Sequence, residues 1–419
     1  MFFEMKGDNE VIGVQDRAVL RELARRKLAF AQDDKNKEIL KKWQAQGEGR
    51  RESPTVRLLF SNLRGELIEP RLRCTDPAAR EIERELLKSM VGRELFDDDT
   101  PTSATFDICW DTWVNPFGIE GKKTRNVASK GYHIDPVIEE LESELDKLKG
   151  GSFGADKEKT LARRDAVAEL IGDILPVRII GSTLKGPLTS PLVFLMGMEN
   201  YYMSMFDCPE AVHQAMDMAT TVYERYYDFL EQEKLLLPMD DFTSVGQETY
   251  AFNHELCKDA ALKTTDCWGF LESQETTAVA ADTFGEFVFP YQDRLVKRFG
   301  LLSYGCCERV DAIWPEYLSK WKNLRKLSVS PFNNEEQVGE YLRGTNVVYY
   351  SKPRAELVTS PDGMDEEAVR KDFERICRVA SGCLFEIGQR EVMTLHGDVQ
   401  RGRRYVEIAK ECIHRYWKP

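Results

Sequence analysis

The stretch Leu301-Leu302-Ser303-Tyr304-Gly305-Cys306-Cys307-Glu308 decides how the chain is read. An apolar run too short for a helix breaks at a glycine and gives way at once to sulfur and a carboxylate. The same pattern recurs on both sides. Upstream, Val177–Gly181, Leu235–Met239 and Trp268–Leu271 are runs of this kind, the last leading into Glu272-Ser273-Gln274-Glu275. Downstream lie Lys326–Ser330, Val347–Ser351 and Leu384–Gly388. Between the runs sit helical stretches: Pro209–Glu233, Ala281–Phe299, Asp311–Lys320, Glu335–Leu342 and Asp365–Ser381. Strands alternating with helices build parallel βα units. With an early run at Phe106–Trp110 the strands number about eight, which predicts a (β/α)8 TIM barrel. The expected organisation is α/β, with additional N-terminal helices over residues 1–100 packed on a barrel over 101–419. No Gly-x-Gly-x-x-Gly follows a strand and no Walker loop occurs, which removes the main support for dinucleotide and nucleoside-triphosphate folds.

The N-terminal region is charged and amphipathic. Asp16–Gln46 predicts one or two helices, and Asp76–Val91 another, with Asp76 as cap and Pro77 in the first turn. Asp135–Lys149, opened by Asp-Pro and closed by Gly150-Gly151, predicts a third, inside a polar insertion near 121–154.

The chain has 419 residues, with 58 Lys plus Arg against 71 Asp plus Glu, a net charge of −13. A chain 42% hydrophobic can bury a large core, which excludes wholesale disorder. The acidic balance argues against a nucleic-acid partner. The longest apolar stretch, Pro191–Met198, is too short for a bilayer, and the first ten residues lack the pattern of a secretory signal. A cytoplasmic protein with no membrane partner is the expectation; an oligomer is compatible with it. Ten cysteines without a Cys-x-x-Cys pair suit reduced thiols better than a disulfide framework or a zinc ribbon.

In such barrels the working residues lie at the C-terminal ends of strands. Cys306 ends one strand and Cys383 begins another, and two thiolates completed by a carboxylate or imidazole suit Zn2+ with an open position. Two unrelated buried cysteines are the alternative. Strand alternation is expected to point Cys307 away from its neighbour. Trp110, Trp113 and Trp268 are either walls for a planar ring or core, and Gln274 is a polar strand-end candidate for substrate contact. Lys185 and Lys352 read most simply as surface lysines.

Several motifs, in order, resemble the uroporphyrinogen decarboxylase superfamily. They are Gly186-Pro187-Leu188-Thr189, Met196-Gly197-Met198-Glu199-Asn200, Phe206-Asp207-Cys208-Pro209-Glu210, the Phe284–Tyr291 stretch and the final 383–411 segment. The resemblance implies the same barrel with extra N-terminal helices. The decarboxylases' Arg-Gln-Ala-Gly-Arg signature is absent; Val56-Arg57-Leu58-Leu59-Phe60 stands in that neighbourhood. The other branch, the corrinoid-linked methyltransferases, binds zinc through a His-x-Cys and a later cysteine. Tyr304-Gly305-Cys306 and Cys383 fall on these positions, with tyrosine in place of histidine. The run Tyr304–Glu308, Asn323-Leu324-Arg325-Lys326 and Ser351-Lys352-Pro353 resemble the aromatic O-demethylase methyltransferases.

That resemblance implies methyl transfer from an aromatic methyl ether, a small-molecule donor, to the Co(I) corrinoid of a partner protein. Zn2+ is implied as cofactor on Cys306, Cys383 and a third ligand. Glu272 is the first candidate for that ligand, with Glu308 and Cys307 as alternatives. Tyr304 either hydrogen-bonds the substrate or packs. His396 either donates a proton to the departing phenolate or is structural. The alternatives are a methylcobamide-dependent methyltransferase acting on a thiol or folate, a lyase like the decarboxylases, and a barrel that only docks the corrinoid protein. None of the histidines, 133, 213, 254, 396 and 414, sits in an Asp-x-His-x-x-Gly, so the corrinoid is expected on the partner.

Overall fold

The computed structural model describes residues 12–125, 132–256 and 262–419. The start of the chain, residues 126–131 of the expected insertion, and Cys257 lie outside these described residues. Seven strands form one sheet: β1 (Thr55–Leu58), β2 (Leu184–Lys185), β3 (Trp268–Leu271), β4 (Leu301–Tyr304), β5 (Leu324–Val329), β6 (Val348–Ser351) and β7 (Leu384–Gln389). Their order is β1-β7-β6-β5-β4-β3-β2, and the registered pairs β1/β7, β4/β5, β3/β4 and β2/β3 are parallel. From β2 to β7 each strand lies beside its neighbour in sequence, as in a (β/α)8 barrel, and β1 lies beside β7. Among the described residues the sheet is open, with β1 and β2 at its edges, so a closed barrel is not formed.

The reasons are local. Leu235–Met239, expected as a strand, is irregular. Pro238 brings no N–H to a ladder, and the Trp268 N–H donates to Met239 Sδ at 3.2 Å rather than to a carbonyl. Phe106–Cys109 and Val177–Ile180 are strands as expected, but they pair with each other as a separate parallel ribbon. β1 and β2 are strands that the hydrophobic pattern did not single out. β4 and β6 are buried along their whole length, as parallel strands covered on both faces are.

The chain divides into two compact units. The first comprises 1–109, 158–180 and 351–419. Its N-terminal helices are Val14–Gln32, Asp34–Gly47 and Pro77–Val91. The Asp33 and Asp76 carboxylates accept from Asn36 N–H and Ala79 N–H, satisfying donors that a helix start leaves open. Trp43 is fully buried, and its Nε1 donates to the Asp99 carbonyl at 2.8 Å. Helices Glu366–Val379 and Val399–Tyr416 also belong to it.

The second unit comprises 110–157 and 181–350. The expected helix at 135–149 is largely replaced. Asp135 closes a strand, Tyr132–Asp135, paired antiparallel with Lys122–Arg125, and only short turns of helix follow at Leu141–Glu144 and Leu145–Leu148. The expected helix 281–299 is two helices, Ala281–Phe287 and Phe289–Val296, because Pro290 opens a new first turn. Among the described residues no helix is long and apolar enough to cross a membrane.

Candidate functional site at the ends of β3 and β4

Gly305 takes the chain out of β4 at φ +99°, a conformation in which a side chain would be strained. Because the strand stops there, alternation no longer governs the two residues that follow. The expectation that Cys307 points away from Cys306 is therefore overturned: their sulfurs lie 3.7 Å apart, both half-buried. Glu308 ties the strand ends together. Its buried carboxylate accepts from Ser273 N–H at 2.8 Å and from Cys306 N–H at 2.6 Å, one oxygen for each. Ser328 and Ser330 hydroxyls donate to the carbonyls of Cys306 and Cys307 at 3.3 and 3.2 Å. Asn333 donates to the Glu308 carbonyl at 3.3 Å and to Ser330. The thiol-bearing loop is thus held at both cysteine carbonyls and at the first cysteine's N–H.

Tyr304 lies behind this loop, fully buried, with its hydroxyl 3.1 Å from Ser273 Oγ and donating to Gln292 Oε1 at 3.2 Å. Burial pushes its phenol well above the ordinary range. The carboxylates of Glu308 and Glu272 push the same way, against the lowering hydrogen bonds of Ser273 and Gln292. The hydroxyl is therefore neutral at physiological pH and engaged by protein groups. Gln292 in turn donates to the Glu272 carbonyl at 3.0 Å, so the end of β3 is fixed through its backbone. Burial drives the Cys74 and Cys267 thiols up to about 12, which leaves them protonated and inert.

The remaining candidates separate. Gln274 is exposed, and its Nε2 lies 3.4 Å from Glu275 Oε1. Trp268 is buried, and its Nε1 donates to the Ala251 carbonyl at 3.2 Å, the contact of a core tryptophan. Trp110 is half-buried, whereas Trp113, 51% exposed, lies on the antiparallel pair Asp111–Asn115 with Ser152–Asp156, its ring against Gly154. Cys383 and His396 belong to the first unit. Cys383 is buried just before β7, and its N–H donates to the Ala380 carbonyl at 3.0 Å. His396 is exposed at φ +55° in a turn whose Leu395 and Gly397 N–H groups are held by Glu66, and its Nε2 lies 3.0 Å from the Thr359 carbonyl. Lys352, read as a surface lysine, is buried. The thiols and carboxylates at these strand ends are of the donor types that zinc accepts. Among the described residues, however, no group of three or more His, Cys, Asp and Glu is assembled so as to hold a metal ion.

Comparison with known proteins bears on the fold. The structure is similar to that of a methyltransferase from Methanosarcina mazei, with a TM-score of 0.51 and 10% sequence identity. The match covers 89% of this chain and 98% of that one. It shows a shared fold. No protein-family model matches the sequence, and no curated protein matches it either.

Reading the sequence alone places Ser273 and Ser330 at strand ends without giving them a role, and it missed Gln292, Ser328 and Asn333. The signal for Ser328 and Ser330 was present: Lys326-Leu327-Ser328-Val329-Ser330 alternates polar and apolar residues within and just beyond a strand, which marks one face as different from the other. Lys326 shares that face, buried, and its Nζ donates to Thr249 Oγ1 at 2.6 Å.

Proposed function

We propose that the chain is a zinc-dependent methyltransferase that moves a methyl group from an aromatic methyl ether to the Co(I) corrinoid of a separate partner protein. The observation that carries the reading is the half-buried thiol at Cys306, pinned at the C-terminal end of β4 beside buried carboxylate, in a fold shared with a methyltransferase. Cys306 is the proposed thiolate ligand. A zinc ion held there would act as a Lewis acid on the ether oxygen, stabilising charge that grows only as the carbon–oxygen bond breaks.

The chain's own residues do the rest. Glu308, Ser328 and Ser330 fix the backbone that carries the thiol, so that little ordering is left for the transition state. Tyr304, neutral and held by Ser273 and Gln292, closes the floor of the site without adding charge and so acts as a positioning residue. Trp113, the exposed tryptophan, is the proposed aromatic contact, and Gln274 the proposed polar one.

The test is methyl transfer from a panel of methoxylated aromatics to a reduced corrinoid protein, followed by the cobalt-methyl absorbance. Turnover that falls at least roughly 100-fold in Cys306→Ala supports the reading. Full turnover in that variant, or no turnover with any ether while a porphyrinogen is decarboxylated, overturns it.

A further inference from the structure

We infer that Cys306 and Cys307 form a thiol–disulfide exchange site: oxidised glutathione closes a bond between the two sulfurs, and reduced glutathione opens it again. This adds a control to the site described above. Its effect on methyl transfer rests on Cys306 being the working thiolate there; the exchange itself does not.

Contact and access single out this pair. The sulfurs lie 3.7 Å apart, and both cysteines are half-buried, within reach of a small reagent. Gly305 at φ +99° is what lets both side chains turn to one side. Ser328, Ser330 and Glu308 hold the backbone that carries them. Cys377 and Cys412 make the useful contrast. Cys412 acts on the Cys377 thiol, but both residues are buried, and burial pushes both thiols up. Nearness without access gives no exchange.

The bond that forms is one that reopens. A disulfide prefers Cα atoms about 4.4–6.8 Å apart, whereas neighbouring Cα atoms across a trans peptide stand about 3.8 Å apart. A bridge between adjacent cysteines is therefore strained, which makes it easy to reduce and suits it to reversible use rather than to permanent bracing. The approach is short: the sulfurs close by about 1.7 Å to reach a bond of about 2.05 Å. One cysteine sulfur attacks the glutathione disulfide, forming a mixed disulfide and releasing one glutathione thiol. The neighbouring sulfur then displaces the second glutathione. Two protein thiols are oxidised, one glutathione disulfide is reduced to two thiols, and the two protons leave with them. The closed bond takes the Cys306 thiolate away from the end of β4, so the site is off until the bond is reduced.

The experiment incubates the reduced full-length chain with oxidised glutathione, quenches it in acid, alkylates it with a maleimide and digests it with trypsin. Cleavage after Arg298 and Arg309 gives one peptide, 299–309, that carries both cysteines and no other. In wild type this peptide should lose both alkyl groups and two hydrogens, carry no glutathione, and regain both alkyl groups after treatment with reduced glutathione alone. Cys306→Ala and Cys307→Ala should each keep one glutathione, because no neighbour resolves the mixed disulfide. Cys109→Ala, at an exposed thiol of the other unit, should behave like wild type. Two glutathiones on the wild-type peptide, or two alkyl groups after oxidation, would overturn the inference, as would a bond that reduced glutathione cannot open. The wild-type masses decide this even where a variant folds poorly. Methyl transfer separates the inference from the functional reading. Transfer that falls with the closed fraction and returns on reduction supports the control; transfer undiminished with the bond closed overturns it. A bond that closes and opens in a chain transferring no methyl group keeps the exchange site and removes the methyltransferase. Transfer by a chain whose pair never closes does the reverse.

Discussion

Two regions of this molecule bury polar groups, and they do so for different ends. Among the N-terminal helices several buried polar side chains are spent on backbone. Asn36 bridges the Ala31 and Thr102 carbonyls and receives the Thr102 N–H; Trp43 donates to Asp99; Lys27 donates to the Thr105 carbonyl at 2.7 Å. At the end of β4 the backbone is again the object of the polar groups, with Glu308, Ser328 and Ser330 all directed at main-chain atoms, but what they secure is a pair of half-buried sulfurs. Burial of a polar group is thus no mark of a site by itself. The mark is a reactive side chain whose neighbours hold its backbone and leave its chemistry at the surface.

The comparison breaks most visibly at Glu308. Replacing it with alanine leaves the buried Ser273 N–H and the half-buried Cys306 N–H without their charged acceptor. Hydrogen bonds to a charged group are worth ~1.5–3 kcal/mol each, so Glu308→Ala is expected to lose about 4 kcal/mol in urea unfolding. Glu308→Gln keeps one carbonyl acceptor and should lose about half as much. A loss under ~1 kcal/mol for the alanine variant would show that the loop is held by other means.

Lys27 tests the architectural side. Burial lowers its pKa from 10.5 to about 8, against the raising influence of Asp107 and Glu85. Between about pH 8 and 10.5 the unfolded chain therefore binds more protons at this residue than the folded one, and the folded state gains stability as pH rises through that window. Below pH 8 both states carry the proton, and the cost of burying the charge stands in full, about 3 kcal/mol at 1.36 kcal/mol per pKa unit. Lys27→Met removes that cost along with the hydrogen bond to Thr105, whose net worth is about 1 kcal/mol. The variant should be more stable than wild type at pH 7 by ~2 kcal/mol, and the gap should close towards pH 10. Denaturant curves at four pH values check it; a gap that does not change with pH would mean the ammonium is not the source.

How much of this was legible beforehand depends on what each element needs. The helix starts were written in single residues: Asp76, expected as a cap before Pro77, caps its helix, and Asp365, where a helical stretch was expected to begin, caps the helix that starts at Glu366. The strands β3, β4 and β6 were legible as mainly apolar runs, as buried parallel strands are, and β5 and β7 as short runs in which polar residues interrupt the apolar ones. Leu235–Met239 carries the same apolar signal, yet hydrophobicity says nothing about a donor, and Pro238 lacks one. Asp135–Lys149 had both punctuation marks of a helix, but Asp135 is taken by a strand pairing with Lys122, a contact between residues thirteen apart that no local pattern encodes. At the site, Cys306 and Glu308 stood out by residue type. Gln292, inside a helix and fully buried, did not, because only its meeting with Tyr304 gives it a role.

Gly305 sharpens the comparison at the smallest scale, since it asks whether one backbone angle is what converts a strand end into a thiol pair. At φ +99° an alanine is strained, and its Cβ would stand 3.3 Å from Ser328 Cβ, tighter than comfortable packing allows. Placing a side chain at positive φ costs more than the ~1 kcal/mol that a compatible glycine-to-alanine change can return, so Gly305→Ala is expected to lose ~1–2 kcal/mol of stability. That is less than Glu308→Ala, because no buried donor loses its acceptor. The effect on the sulfurs should be out of proportion to it. If the backbone relaxes towards an extended angle, residue 306 rejoins the strand, alternation sends Cys307 to the opposite face, and the 3.7 Å contact is lost. The check is the rate at which a bifunctional arsenical, which bonds two sulfurs at once, captures the chain, compared with the rate of a monofunctional maleimide. A specific fall in the first with the second preserved is the expected result. Equal capture by wild type and variant would show that the pair is held by Ser328, Ser330 and Glu308 alone, and that the glycine only marks where the strand ends.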